Sequence, residues 1–320
     1  MKLIIKSIAL IFCLSLLSSC SKTDELQERT ITNLIDSQPN LSIFKEALIK
    51  TDVYSLLKSS TAYTVFAPSD LAFTTFLTNS GYTNIDAVPT DMLTKILLNH
   101  IVVGAKTTGN FMDNTYVKTL ATKNATAPLL YLDLYVGNTG STVKLNGTIS
   151  LLTPNIVANN GILHTIDTVI KLPTVFDQIV ANPKLSTFKN TITSAGQPNF
   201  AQLLSASATV TTAFVPTDDA FNALNVELPT TAGLSTFSTE MKTKLIYYQL
   251  VNGYLPSALF TNNLVVATEQ TPQTFIIQKG GTLYNFLDQG NRSGAMIVTD
   301  IQCTNGVIHL LDKVMLPNFN

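Results

Sequence analysis

The sequence has no tryptophan, three cysteines and three histidines in 320 residues, and only 13% of its residues are charged. An ordinary soluble domain carries about 25% charged residues. So few cysteines exclude a disulfide scaffold. The histidines and cysteines share no recurrent spacing, so no metal site is expected. The 20 Lys+Arg and 21 Asp+Glu give a formal net charge of −1. Without a Lys/Arg run there is no electrostatic footprint for nucleic acid. The chain is not disordered in composition either, because 45% of it is hydrophobic and its net charge is low. Neutral polar residues replace the missing charge, with Thr at about one position in seven. The length suits two domains of roughly 100–200 residues each.

Lys2 and Lys6 precede a short apolar run from Ile8 to Leu17. These are the charged and hydrophobic regions of a secretory signal, and the run is shorter than the ~20 residues of a membrane span. It ends in Leu17-Ser18-Ser19-Cys20, which resembles the bacterial lipobox. That resemblance implies removal of residues 1–19 and lipidation of Cys20 by a diacylglycerol and an amide-linked chain such as palmitate. Residues 20–30 then form a polar tether. Several acyl chains anchor stably where one binds only marginally. Ser21, in place of an Asp, favours the outer membrane of a cell that has two membranes. Ser21–Glu25 resembles the acidic tags that carry Bacteroidota lipoproteins to the outer face. The expected location is therefore the cell envelope, lipid-anchored, with the membrane itself as one partner. Loss of Lys2 and Lys6 leaves 18 basic against 21 acidic side chains. Cys303 is left as the free thiol and is expected to be a buried small hydrophobe.

The remainder is one pattern written twice. Leu41–Lys45 returns as Leu185–Lys189, and Thr64–Phe73 returns as Thr212–Phe221. Asn160–Asp167 returns as Asn305–Asp312, and Leu172-Pro173 as Leu316-Pro317. The offsets are 144, 148, 145 and 144 residues, too long for a solenoid unit and right for a duplicated domain. The expected domains are 31–172 and 173–318, joined closely enough to touch.

Each block has a local reading. Tyr63–Ala67 is a short apolar strand stopped by Pro68. Ser69 is a good N-cap, and Asp70 lies in the first helical turn, where the dipole favours a carboxylate. Thr217 and Asp218 repeat this after Pro216. Asn160-Gly161 and Asn305-Gly306 read as type I′ hairpin turns. In the strand that follows, Ile162, His164 and Ile166 share one face and Asp167 points to the other. His164 and His309 therefore read as core histidines with hydrogen-bonded rings. A helix capped by Thr90 carries Met92, Ile96 and His100 in one i, i+4 row. Its counterpart runs from Ser238 to Leu250 with Met241, Leu245 and Tyr248 or Gln249 inward. Tyr116–Leu120, Leu129–Val136, Thr142–Leu145, Leu264–Thr268, Thr274–Gln278 and Ala295–Thr299 read as strands. Gly280-Gly281 reads as a hairpin turn. Helices first and strands after them give an α+β order in each half.

These residues resemble the fasciclin (FAS1) family. Its first block is similar to T-h-F-A-P-T-[ND]-x-A-F, carried here by Thr64, Phe66, Pro68, Asp70 and Phe73, and again by Thr212, Phe214, Pro216, Asp218 and Phe221. Its second is similar to N-G-x-[IL]-H-x-[ILV]-D, carried by Asn160, Gly161, His164 and Asp167, and by Asn305, Gly306, His309 and Asp312. The family's Tyr-His pair is halved: Asn99-His100 keeps the His, and Tyr248-Gln249 keeps the Tyr. The resemblance implies two tandem wedge-shaped β-sandwich domains of about seven strands, each flanked by helices. It implies adhesion, matrix contact and protein or glycan interaction, without catalysis or cofactor.

Nothing in the residues argues for chemistry instead. His164 and Asp167 lie i, i+3 on a strand, so they cannot orient one another. No G-x-S-x-G, S-x-x-K, H-E-x-x-H or phosphate loop is present. For sugar stacking the candidate rings are Tyr82, Tyr116, Tyr135, Tyr254 and Tyr284, none selected by spacing. Asp167-Thr168-Val169 resembles a Bacteroidota O-glycosylation signal, but it is expected in a core strand and hence unused. The reading is a surface lipoprotein that binds a protein or glycan. Its rivals are an accessory subunit of an outer-membrane uptake complex, and a hydrolase using His100 or His164.

Overall fold

A computed structural model describes residues 29–228 and 233–320. The expected signal peptide, Cys20 and most of the tether lie outside the described residues. Among the described residues, no helix is long and apolar enough to cross a membrane.

The first half begins with helices α1 (Ile31–Asp36), α2 (Ser42–Lys50) and α3 (Val53–Leu56). Strand β1 (Tyr63–Pro68) leads into α4 (Asp70–Asn79) and α5 (Thr90–Leu98). Six strands follow: β2 (Ile101–Val103), β3 (Thr115–Thr122), β4 (Tyr131–Asn138), β5 (Val143–Leu145), β6 (Ile149–Ala158) and β7 (Gly161–Ile166). The second half repeats the order. It has α6 (Val175–Ala181), α7 (Ser186–Ile192), α8 (Phe200–Ser205), β8 (Thr211–Pro216), α9 (Asp218–Glu227) and α10 (Thr239–Tyr248). It closes with β9 (Leu250–Asn252), β10 (Leu264–Ala267), β11 (Thr274–Gly280), β12 (Leu283–Leu287), β13 (Ser293–Cys303) and β14 (Gly306–Leu311).

In the first domain the strands close in sequence order into a barrel, with β1 and β7 paired in parallel from Tyr63↔Gly161 to Pro68↔Ile166. The closing seam is thin, since β2 and β3 share the single pair Val102↔Thr119. In the second domain the order is β10-β11-β12-β13-β14-β8-β9, with β14 and β8 parallel. There the matching seam is reduced to the Glu269 N–H donating to the Leu250 carbonyl at 2.8 Å. A parallel pair needs cover on both faces. Here Val65, Ala67 and Leu163 face the helices, while Phe66 and Ile166 face the barrel interior. Ala213, Val215 and Ile308 against Phe214 and Leu311 repeat this division.

Several local expectations are corrected. The Asn-Gly pairs are not the centres of type I′ turns. Ala158 pairs with Gly161 and Cys303 with Gly306, so the two-residue loops are Asn159-Asn160 and Thr304-Asn305. None of these four residues has the positive φ that a type I′ turn needs. Gly161 opens the strand because a Cβ there would lie 1.9 Å from the Tyr63 carbonyl oxygen, and at Gly306 2.0 Å from that of Thr211. Thr90 is the first helical residue of α5 and makes no side-chain cap, whereas Ser238 does cap α10. Met92 is exposed beside the buried Ile96, and Met241 is only half-buried. At the glycine pair the loop is Gly281-Thr282, because Gly280 pairs with Leu283. Thr168 lies past the end of β7 and is exposed, so its core-strand placement was wrong. Strands β2, β6, β9 and β12 had no sequence counterpart.

Candidate functional site

The first motif block is a corner that fastens each strand to its helices. Ser69 accepts the Ala72 N–H and Thr217 accepts that of Ala220. Asp70 lies one residue later and reaches back to α2, where its carboxylate accepts the Ile43 N–H and the Ser42 hydroxyl, both at 2.8 Å. Asp218 takes the Thr187 N–H at 2.7 Å and the Ser186 hydroxyl at 2.6 Å. Burial pushes the Asp218 carboxyl upward, but the donors from Ser186 and Thr187 outweigh it and hold the group below its ordinary range. Thr64 donates to the Gly104 carbonyl at 2.6 Å and accepts from the Lys106 N–H at 2.8 Å. Thr212 does the same with Gly253 and Leu255. Pro68 and Pro216 end β1 and β8, while Phe73 and Phe221 fill the helix-side cores.

The second block ties the last strand to everything around it. Asn160 accepts the Ile31 N–H and donates to the Leu57 and Ser59 carbonyls. Asn305 accepts the Val175 N–H and donates to Leu204 and Ala206. Asp167 accepts the Ser150 N–H and Asp312 that of Ala295, on the face away from the histidines.

His164 is fully buried and lies 5.4 Å from the Phe66 ring, stacked on it. Its Nδ1 accepts the Asn155 N–H at 3.2 Å, so Nε2 carries the proton donated to the Lys106 carbonyl at 2.9 Å. His309 stacks on Phe214 at 5.0 Å, accepts the Asp300 N–H and donates to the Leu255 carbonyl. Asn155 and Asp300 sit at bulges with φ of 61° and 63°. Their side chains accept the N–H of Thr108 and of Ser257, which begin short 3-10 turns. Each motif histidine therefore locks a bulge, and the bulge caps a turn. Asn155 and Asp300 belong to neither motif block. A signal existed, because both precede their histidine by nine positions.

His100 donates from Nδ1 to the Ile96 carbonyl at 2.7 Å and accepts the Ile170 N–H on Nε2 at 2.9 Å. Burial lowers it to about 4. Burial also lowers His164 and His309. All three rings are thus neutral connectors with both nitrogens engaged. Among the described residues, no group of three or more His, Cys, Asp or Glu is placed to hold a metal ion.

The two domains meet at a built junction. Asp133 on β4 is buried, and its Oδ2 accepts the Gln302 N–H of the second domain at 2.6 Å. The same oxygen pairs with the Lys118 ammonium at 2.5 Å, which also donates to the Asp300 carbonyl. The Asp133 carbonyl accepts from Gln178 Nε2, and the Tyr116 hydroxyl accepts from Asn182. Burial pushes the Asp133 carboxyl above its ordinary range, although Lys118 and the Gln302 N–H pull the other way. The Lys123 ammonium sits 4.3 Å from the centre of the Tyr254 ring, and the Tyr254 hydroxyl donates to Gln302 Oε1. Beside this junction opens a cleft of about 590 Å³ lined from both domains, including Tyr131 and Tyr254. Among the five candidate rings, Tyr254 lines this cleft. Tyr116 and Tyr135 stack edge-on at 5.4 Å, and Tyr284 packs on Phe260.

Comparison with known families matches the Fasciclin domain twice, over residues 39–173 and 183–317. The chain belongs to the fasciclin domain family. It is 25% identical over 268 residues to Fasciclin-1 of Schistocerca americana, covering 79% of this chain and 39% of that protein. It is 25% identical over 175 residues to Periostin of Homo sapiens, covering 52% of this chain and 19% of Periostin. The chain thus spans under half the length of either animal relative. A solved FAS1 domain pair from the insect cell adhesion molecule fasciclin I has the same fold, with a TM-score of 0.53 at 19% identity. That match covers 85% of this chain and 95% of the pair.

The two fasciclin domains end the helices before β2 and β9 in different pairs, Asn99-His100 and Tyr248-Gln249. In the first, Asn99 donates to the Lys171 carbonyl and accepts from Thr119. In the second, the Tyr248 hydroxyl donates to the Thr274 carbonyl. Gln249 replaces the histidine, donating to the Leu245 and Met315 carbonyls. Both pairs tie the end of a helix to the sheet and to the segment leaving the last strand.

Proposed function

We propose that this fasciclin protein is a non-catalytic interaction module of the cell envelope, anchored by lipid on Cys20. Its two domains bind a protein or glycan partner outside the membrane. The observation that supports this reading is the docked tandem pair, in which the three histidines bond backbone groups through both ring nitrogens and so hold the fold together. The likeness to a domain pair from an insect cell adhesion molecule points the same way. The low charge and Thr-rich composition suit an exterior surface.

Whole-cell protease treatment and a deletion strain test the reading together. Protease should remove the protein from intact cells, and deletion should reduce attachment to neighbouring cells, matrix or host surface. Mature protein confined to the cell interior, or attachment and envelope interactions unchanged on deletion, would sink it.

A further inference from the structure

The cleft at the domain junction has the size and position of a ligand site. Ligand pockets commonly enclose about 300–1,000 Å³ and favour domain interfaces. This one measures about 590 Å³ and is mostly apolar, walled by Pro128 and Tyr131 of the first domain and by Tyr254 and Pro256 of the second. It continues past Lys118 and Tyr131 into a depression of about 450 Å³ over the thin β2/β3 seam.

Its polar groups narrow the ligand. Two of the three Lys118 ammonium protons are engaged, by Asp133 and by the Asp300 carbonyl. One Gln302 amide proton makes only a long 3.4 Å contact with that carbonyl. Two of its acceptors are already engaged: the Asp300 carboxylate takes the Ser257 N–H and hydroxyl, and Gln302 Oε1 takes the Tyr254 hydroxyl. The cleft therefore offers donors and flat rings. The two charged residues that line it, Lys118 and Asp300, cancel, so an ionic ligand gains little. An extended peptide has no ladder to join. Pro128 and Pro256 bring no N–H, and Asn124 already accepts the Leu130 N–H while donating to the Thr126 and Pro128 carbonyls. Tyr131 is 39% exposed, and Tyr254 is held in place by Lys123 and Gln302.

We propose that this cleft binds an uncharged hexose unit of a glycan, which lays its C–H face on Tyr131, packs against Tyr254 and gives hydroxyl acceptors to Lys118 and Gln302. This rests on the interaction reading above and names its site and ligand class. Both domains build the site, so the docked pair rather than either domain is the binding unit.

The test uses the full chain with cellotetraose, mannotetraose and N-acetylchitotetraose as neutral probes and tetragalacturonate as the charged control. Saturation-transfer NMR and calorimetry read the binding. At least one neutral probe should bind, and Tyr131→Ala should weaken it by about tenfold, since an exposed stacking ring is removed. Tyr254→Leu should weaken it similarly, while Tyr284→Ala should leave it unchanged. Thermal melts verify that each variant is folded. The proposal is overturned if no neutral probe binds, if tetragalacturonate is preferred, or if folded Tyr131→Ala binds as tightly as the parent. A chain that binds no sugar yet still cross-links to a cell-surface protein keeps the broader reading and loses this one.

Discussion

The Asp133 carboxylate of the first domain accepts the backbone N–H of Gln302 in the second at 2.6 Å. These residues are 169 positions apart, and neither belongs to a family motif. Asp133→Ala leaves that buried N–H unsatisfied and frees Lys118. We expect a loss of about 1–3 kcal/mol in chemical denaturation. Faster hydrogen exchange at Gln302 should accompany it. Unchanged exchange and stability would show that the junction does not hold the domains together.

The opening glycine of the last strand admits no side chain. Gly161→Ala and Gly306→Ala each push a Cβ into a backbone oxygen of the neighbouring parallel strand. A cost of about 2–4 kcal/mol is expected from this overpacking. Gly281→Ala is the control. It has φ of 65° with open space around it, so only the left-handed penalty of about 1–2 kcal/mol applies. Equal losses at all three positions would contradict the close-approach account.

His100 sets an acid limit on stability. Its folded value of about 4 lies below the ordinary 6.5, so the unfolded chain binds the proton first. The stabilisation is complete above 6.5 and is lost as pH falls towards about 4, by about 3 kcal/mol over the window. His164 and His309 shift in the same direction, while Asp133, raised by burial, opposes them. Denaturation midpoints measured between pH 7.5 and 4.5 should show the decline. His100→Gln copies Gln249 of the second domain and should flatten it. A profile identical to the parent's would remove His100 as the cause.

Cys303 is fully buried, and burial raises its thiol well above the ordinary range. Such a thiol reacts slowly, because the thiolate is the nucleophile. Peptide mapping after iodoacetamide treatment should find Cys303 unlabelled in the native chain and labelled in denaturant. Rapid native labelling would mean that the junction-side core opens readily.

The duplication was legible because each motif combines a cap, a strand end and a turn whose residue types are narrowly restricted. The inward histidines were legible from strand alternation. Strand β6 was not, because its register shifts twice between Leu151 and Ile156 and the alternation breaks there. Strands β2 and β9, at three residues each, are too short to carry a pattern. The junction was invisible for another reason: Lys118, Asp133 and Gln302 look like ordinary surface polar residues until folding brings the two domains together. Tyr131 was overlooked as one apolar residue of a strand, although the structure exposes its ring at the cleft.

The docked domains are proposed to bind a partner outside the membrane. Cross-linking on intact cells, followed by recovery of the chain and mass spectrometry of whatever is attached, tests it most directly. A cell-surface protein or glycan should be joined near the junction of the two domains, and should be lost when Tyr131 and Tyr254 are replaced together. Recovery of the chain from the cell interior, with no envelope component attached, would contradict it.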